Sequence, residues 1–348
     1  MKTAKWLESI IPSPTLAVNQ KVMELKSKGK KIISLVVGEP DFETPEFIKN
    51  AAIEALKKNY TKYTETQGII PLREAICEKL KRENGLNYEP SQIIVTCGAK
   101  QAISTDLEKV ATTKTKVLIL NNPSNPTGVL YNKDELLKIS EWCLNKGIVV
   151  ISDEIYERIV FSGRKFVSVA SFSDAIYNNT ITINGLSKSH CMTGWRMGYA
   201  AGPKNIIKAM SNFQSHFLSH ITTFVQYASV EALKNDSFIP KMVIAYEERI
   251  NTTIELMKKY MPLSECVAPD GAFYIFPTVN KYYGKSCDGK TIKNSVDMAT
   301  FLLEAANVAV VPGLAFGMDN NIRLSVATSL EEIKDGLAKI GQALGKLK

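Results

Sequence analysis

The sequence predicts an α/β fold in which a large domain with a mainly parallel central sheet flanked by helices carries a smaller α+β domain. Three observations support this. Short apolar runs at 93–96, 116–120, 148–151 and 180–183 alternate with longer amphipathic stretches, as in units that lay helices on a sheet. The segments after these runs are rich in glycine, asparagine and proline, and open α/β sheets bind ligands at the C-terminal ends of their strands. Beyond residue 260, short strands and helices mix without that alternation. With 348 residues the chain is long for one core, so two domains sharing an interface are expected. The division read from the sequence is an N-terminal arm and first part of the small domain at 1–42, the large domain at 43–254, and the remainder of the small domain at 255–348.

Residues 1–14 form a proline-punctuated arm, and 15–29 read as a helix closed by Gly29. Ile32 to Val37 is a β-branched strand that runs into Gly38-Glu-Pro-Asp-Phe42. Thr44 is an N-cap candidate for a helix from Pro45 to Lys58. The polar and aromatic stretch from Tyr60 to Gly68, with Tyr63 at its centre, reads as an exposed loop. Pro71 to Asn84 is amphipathic, carries Leu72, Ile76 and Leu80 on one stripe, and ends at Gly85. Ile93 to Thr96 is a buried strand, and Gly98, Ala99 and Lys100 turn from it into a helix start. That arrangement suits phosphate, although a glycine at such a turn is commonplace. After the strand at 116–120, the two Asn-Pro steps of Asn121-Asn-Pro-Ser-Asn125-Pro-Thr-Gly128 force an extended loop and place the Asn125 amide to donate. A helix at 133–145 and a strand at 148–151 lead to Asp153-Glu154-Ile155-Tyr156, where a carboxylate at the end of an apolar strand calls for a cationic partner or a capping role. Helices fill 201–233, and a long one at 241–260 crosses between the domains. Arg323 lies in the alternating strand 322–325, either as an edge-strand surface residue or as the fork for an anion.

Composition excludes several classes. A hydrophobic content of 45% and a charged content of 22% belong to a soluble globular protein and exclude disorder. The formal charge of +8 is spread among Lys/Glu mixtures, giving a solvated surface with a modest pull on anionic substrates and no nucleic-acid partner. The cysteines at 77, 97, 143, 191, 266 and 287 show no paired spacing, as expected for reduced thiols in the cytosol. Pro12 and Pro14 break the N-terminal apolar run, which makes a poor signal peptide, and no stretch approaches the roughly 20 residues of a membrane span. The expectation is a soluble cytoplasmic protein. His216 and His220 have a helical metal-ligand spacing but lack a further ligand nearby, so no metal is expected.

The stretch Asn184-Gly-Leu-Ser187-Lys188-Ser-His-Cys-Met-Thr-Gly-Trp-Arg196-Met-Gly-Tyr199 carries the most chemistry. Partial burial and a neighbouring cation can lower the pKa of a lysine in such a setting and leave a neutral amine able to form an imine, while Arg196 offers a planar fork for an oxyanion. On these residue types alone the stretch reads equally as a solvated surface turn. The string Ser-Lys-x-x-x-Met-Thr-Gly-Trp-Arg-x-Gly-Tyr, however, resembles the cofactor-lysine segment of the class I aminotransferases, fold type I enzymes that use pyridoxal 5'-phosphate (PLP), and among them most resembles the aspartate aminotransferase subgroup. Gly38-x-Pro-Asp-Phe, Tyr63 before Pro71-Leu-Arg-Glu-Ala, Gly98-Ala-Lys-Gln-Ala, Asn-Pro-x-Asn125-Pro-Thr-Gly, Asp153-Glu-x-Tyr156 and Arg323-Leu-Ser follow in the family's order over nearly the whole chain.

The resemblance implies a role for each of these residues. Lys188 would carry PLP and move the substrate α-proton, and Asp153 would pair with the ring nitrogen. Tyr156 and Asn125 would bond its phenolic oxygen. Ser187, Arg196, the Gly98, Ala99 and Lys100 backbone and Tyr63 of a second subunit would hold the phosphate, which implies a homodimer. Gly38, Asn125 and Arg323 would bind the amino acid, with aspartate the first expectation and a 2-oxo acid such as 2-oxoglutarate the acceptor in a ping-pong reaction. Carbon–sulfur lysis, or aromatic or alanine transamination, would use the same lysine. The sequence departs from the family at 103–105, where several tens of residues, including an aromatic side chain that stacks on the cofactor ring, have no counterpart. The two flanks meet as one helix expected at 99–111, which leaves a sheet position empty and raises a catalytically impaired homologue as a further reading.

Overall fold

In a computed structural model, described for residues 14–97 and 112–348, a five-stranded mixed sheet with helices packed against it presents the strand ends where the motifs lie. The N-terminal arm before residue 14, the Gly98-Ala99-Lys100 turn, the helix expected at 99–111 and the join at 103–105 lie outside the described residues.

The order across this sheet is β2(Ile93–Thr96), β6(Gly198–Ala201), β5(Thr180–Gly185), β4(Val149–Asp153), β3(Val117–Asn121). β3, β4 and β5 are parallel, and β6 runs antiparallel to both β5 and β2. The register sets Asn121 beside Asp153 and Asp153 beside Ile183, so the Asn-Pro loop, the carboxylate and the lysine-bearing turn leave the sheet side by side. The crossover between β3 and β4 is α4(Lys133–Asn145), which starts with a capping box: Asn132 Oδ1 accepts from the amides of Asp134 and Glu135, each at 3.0 Å, and Glu135 returns a carboxylate to the Asn132 amide at 2.8 Å. Such a cap is worth about 1 kcal/mol.

Two apolar clusters account for most of the core. In one, α2(Glu46–Lys57), α3(Ile70–Asn84) and α7(Thr223–Ala232) pack on β2 and β6. α3 is closed by Gly85 in the left-handed conformation (φ 68°) and buries Leu72, Ile76 and Leu80 completely, at roughly 1.5–3 kcal/mol each. In the other, α8(Ile239–Tyr260), α9(Ser295–Ala306) and α10(Leu330–Leu344) enclose the sheet β11(Val311–Pro312), β12(Ile322–Ser325), β7(Tyr274–Ile275), whose middle strand is β12. α1(Pro14–Ser27) and the parallel pair β1(Ile33–Ser34)–β10(Val308–Ala309) cover a smaller apolar patch beside it.

Three expectations change. Thr44 does not cap α2, whose N-cap is Pro45 without a side-chain bond; its hydroxyl donates to Cys191 O at 2.5 Å and accepts from Trp195 Nε1 at 3.2 Å. The strand expected at 32–37 shrinks to Ile33–Ser34 because its partner β10 is equally short, and the chain continues extended, with the Leu35 amide on Ala309 O at 3.0 Å. α6(Lys204–Phe217) ends before His220, so His216 and His220 do not share a helical face, and no metal-binding group is found among the described residues.

β3 stands at the edge of the sheet, bonded to β4 alone among the described strands, and Val117 and Ile119 on one of its faces are 45% and 38% exposed. Sheets with parallel strands normally have both faces covered, and a bare β-branched edge is a template for association. Replacing Ile119 by Lys should therefore lower concentration-dependent self-association in sedimentation velocity while changing stability by no more than about 0.5 kcal/mol. Association unaltered by Ile119→Lys would place the sticky surface elsewhere.

Candidate active site

The site is built on the turn 186–197 between β5 and β6. Gly185 permits the paired strands to approach closely there, since a Cβ at that position would stand 2.9 Å from Met197 O and 3.0 Å from Gly198 Cα. Inside the turn the amides of His190 and Met192 bond back to Leu186 O and Ser187 O at 3.1 and 3.2 Å. Cys191 and Arg196 both take φ of 55°, a conformation that costs a non-glycine residue on the order of 1–2 kcal/mol.

Beneath the turn lies a buried polar cluster. Glu157 accepts from Lys79, from Asn84 Nδ2 at 2.7 Å and from Asn184 Nδ2 at 2.7 Å. Arg158 bridges Glu83 at 2.6 Å and Asp236 at 2.7 Å. Burial, reinforced by the Arg158 charge, pushes the His190 imidazole down to about 4, so the ring is neutral between Ser189 Oγ at 2.8 Å and Ala232 O at 3.1 Å.

Lys188 projects into a half-buried space. Its Nζ donates to Gly38 O and stands 5.9 Å from the ring centre of Tyr156 and 6.0 Å from that of Phe273. Burial lowers its ammonium pKa to about 8; Arg323 and Arg196 act in the same direction, while Glu39 and Asp153 oppose them. At neutral pH a usable fraction of the amine is therefore unprotonated.

Several of the predicted residues lie near this amine. Asp153, buried at the end of β4, accepts from the Ile155 amide at 3.3 Å, and its carbonyl accepts from Asn121 Nδ2 at 3.1 Å. Asn121 also accepts from the Asn125 amide at 2.8 Å, which orders the Asn-Pro loop. Tyr156 is buried, its hydroxyl 2.9 Å from that of Tyr274, and burial holds its phenol well above the usual range. Arg323 is not a surface residue: it is 3% exposed in the middle strand β12, with Nη1 donating to Asn125 Oδ1 at 2.9 Å and Nη2 to Val36 O at 2.8 Å. Tyr274 and Phe316 flank its guanidinium at 4.5 and 5.2 Å, and its buried Nε has no hydrogen-bond partner. A buried donor left unsatisfied points to a ligand.

Ser187 is buried in the lysine turn, and Arg196 is exposed on it, donating to Thr193 O at 2.8 Å. Tyr63 is not drawn in: it is 91% exposed, with its ring edge-on to His220 at 5.4 Å. Sequence reasoning missed Tyr274 and Glu39. Tyr274 looks like a core aromatic in Gly271-Ala-Phe-Tyr-Ile-Phe276, yet its hydroxyl lies where a Cβ on Gly38 would meet it at 2.9 Å; Glu39 was visible only as a neighbour of Gly38.

The family described as aminotransferase class I and II matches residues 30–106 and 101–340. A probable aspartate/prephenate aminotransferase of Aquifex aeolicus is 40% identical over 388 aligned positions, covering 97% of each chain. The aspartate aminotransferase of Bacillus subtilis is 39% identical over 396, covering 99% of this chain and all of the relative. Among solved structures, the aspartate aminotransferase from Rhizobium meliloti superposes with a TM-score of 0.93 at 34% identity over 100% of both chains. The aspartate aminotransferase from Thermus thermophilus with maleate gives 0.89 at 32%, covering 99% of this chain and 100% of the other. The aligned spans exceed the 348 residues present, and the family match falls in two segments that overlap at 101–106, around the expected departure at 103–105.

The Lys188 shift carries a sign that can be tested. The amine titrates near 8 when folded and near 10.5 when unfolded, so the folded state bears the full cost of the buried charge below pH 8 and none above 10.5. Lys188→Met should stabilise the cofactor-free protein by on the order of 2 kcal/mol at pH 7, with the gain fading as pH rises through that window. Denaturant melts at pH 7 and above 10 measure this, and equal effects at both would exclude a desolvated amine.

Proposed function

We propose that this chain, which belongs to the aminotransferase class I and II family and is an aminotransferase, uses pyridoxal 5'-phosphate to move the amino group of an L-amino acid, first of all aspartate, to a 2-oxo acid such as 2-oxoglutarate by a ping-pong mechanism. The observation that carries this reading is the half-buried Lys188 amine, titrating near 8, beside a buried guanidinium with an unsatisfied Nε. The names of the relatives support aspartate as the donor.

The residues present fit the cofactor. Lys188 would hold it covalently and then carry the α-proton. Asp153 offers a buried carboxylate suited to a protonated ring nitrogen, and Tyr156 and Asn125 offer donors suited to its phenolic oxygen. Ser187 and Arg196 would receive the phosphate, helped by Gly98, Ala99 and Lys100 and by Tyr63 of a second copy. Bound there, the cofactor supplies an electron-accepting ring for the charge left when the α-proton departs. Arg323 would fork onto the substrate carboxylate, assisted by the Gly38 backbone and Asn125. The exposure of Tyr63 supports a homodimer, and six free cysteines support a cytoplasmic setting.

Two outcomes test the reading. Borohydride reduction of the PLP-treated protein should leave the pyridoxyl mass on the Lys188 peptide, and a label on another lysine overturns the assignment. Arg323→Lys should weaken the amino-acid half-reaction by about 1.5–3 kcal/mol, roughly 10–100-fold, through loss of a charge-assisted fork. Unchanged half-reaction kinetics would remove Arg323 from the substrate site. Product analysis with and without 2-oxoglutarate distinguishes transamination from carbon–sulfur lysis.

A further inference from the structure

The segment 38–44 is sewn to the lysine turn at several points. Gly38 O accepts from Lys188 Nζ, Thr193 Oγ1 donates to Glu39 Oε2 at 2.8 Å, and Thr44 bonds Cys191 O and Trp195 Nε1. Its far side is tied down by Asp41, which pairs with Arg249 at 2.8 Å. Glu39 therefore occupies a defined place at the mouth of the site, next to the carbonyl that receives the amine. Thr193, which holds Glu39, also accepts through its carbonyl from Arg196 at 2.8 Å, so the carboxylate and the guanidinium share one anchor.

The charges acting on Lys188 come from every side of the space: Arg196 on its own turn, Arg323 on β12, Asp153 at the end of β4, and Glu39 on the facing segment, with the phenol of Tyr156 beside it. Two guanidinium groups and burial favour the neutral amine, and two carboxylates favour the ammonium. Asp153 is the carboxylate that the proposed reaction assigns to the cofactor ring. Glu39 has no part in that scheme; its carboxylate is exposed, bonded to Thr193 of the lysine turn, and belongs to the residue next to the carbonyl that takes the amine.

We propose that Glu39 is a positioning residue for the amino-transfer reaction: anchored on Thr193 of the lysine turn, it holds the Gly38 carbonyl against Lys188 and places a carboxylate beside that carbonyl. The inference rests on Lys188 being the reactive amine, and it adds a residue on the segment opposite the turn that sets when this amine is free. Without the carboxylate the amine is released at lower pH, and the segment carrying the Gly38 backbone loses one of its ties.

The test uses the cofactor-free full chain. Brief reductive methylation with formaldehyde and cyanoborohydride across pH 6–10, read by mass spectrometry of the Lys188 peptide, gives the midpoint for release of the amine. Glu39→Gln should move that midpoint down by roughly 0.5–1 unit, Glu39→Asp should restore most of it, and Glu43→Gln, another exposed carboxylate of the same segment but without a bond to the lysine turn, should leave it in place. A Glu39→Gln midpoint that coincides with the unsubstituted chain overturns the proposal, as does an equal shift from Glu43→Gln, which would mean only a change in net charge. The cofactor assignment fails separately, by absence of the pyridoxyl label on Lys188, and that failure leaves the methylation midpoints untouched.

Discussion

Keeping one lysine amine partly out of water is the constraint on which the rest of this structure depends. A flexible side chain with a hydrated charge does not stay in a half-buried space by preference, so the surroundings must hold it there. The fold does so with a turn that has strained residues at both Cys191 and Arg196, with strands whose register brings Asn121, Asp153 and Ile183 level, and with a facing segment whose Gly38 O accepts a hydrogen bond from the amine. Strain concentrated next to a reactive group is affordable only where the surrounding packing over-determines the conformation.

That packing is unusually polar. Lys79, Glu157, Asn84 and Asn184 form a buried network under the turn, and Arg158 links Glu83 to Asp236 beside it. Apolar residues of the same volume would give comparable stability, since burying charges costs nearly what their attraction returns. What the network adds is direction. Each hydrogen bond fixes a neighbour's orientation, joining α3, the segment after β4, the end of β5 and the start of the lysine turn at one place. Neutral His190, enclosed between Ser189 and Ala232 O, continues that order up to the residues following Lys188.

Features that depend on neighbours in sequence were legible before the structure. The apolar stripe Leu72, Ile76, Leu80, the Gly85 terminator and the strands at 93–96 and 322–325 follow from local periodicity and turn chemistry. Features that depend on distant partners were not. Thr44 has the chemistry of a cap, but a carbonyl 147 positions away takes its hydroxyl. Arg323 could be read as a surface residue because a strand pattern does not say whether the strand lies inside or at the edge of its sheet; β12 lies inside. Tyr274 has no polar neighbour in sequence to mark it, and its role comes from Tyr156, Gly38 and Arg323, each brought from elsewhere in the chain.

The loop that carries Asn125 and the segment that carries Tyr274 are locked to each other through two glycines. Gly128 O accepts from the amides of Asp270 and Gly271, both at 2.9 Å, and a Cβ on Gly128 would come within 2.5 Å of Pro269 and 3.0 Å of two carbonyls. A Cβ on Gly271 would stand 2.7 Å from Ile159 O and 2.9 Å from Pro123. Neither position leaves room for a methyl group, and neither contacts the amine, the carboxylate or the guanidinium of the site. Inherited variation at these positions would thus resemble loss of a reactive group in its effect on turnover, although no reacting atom is touched. A survey of tolerated substitutions that scored positions only by distance from Lys188 would misplace both.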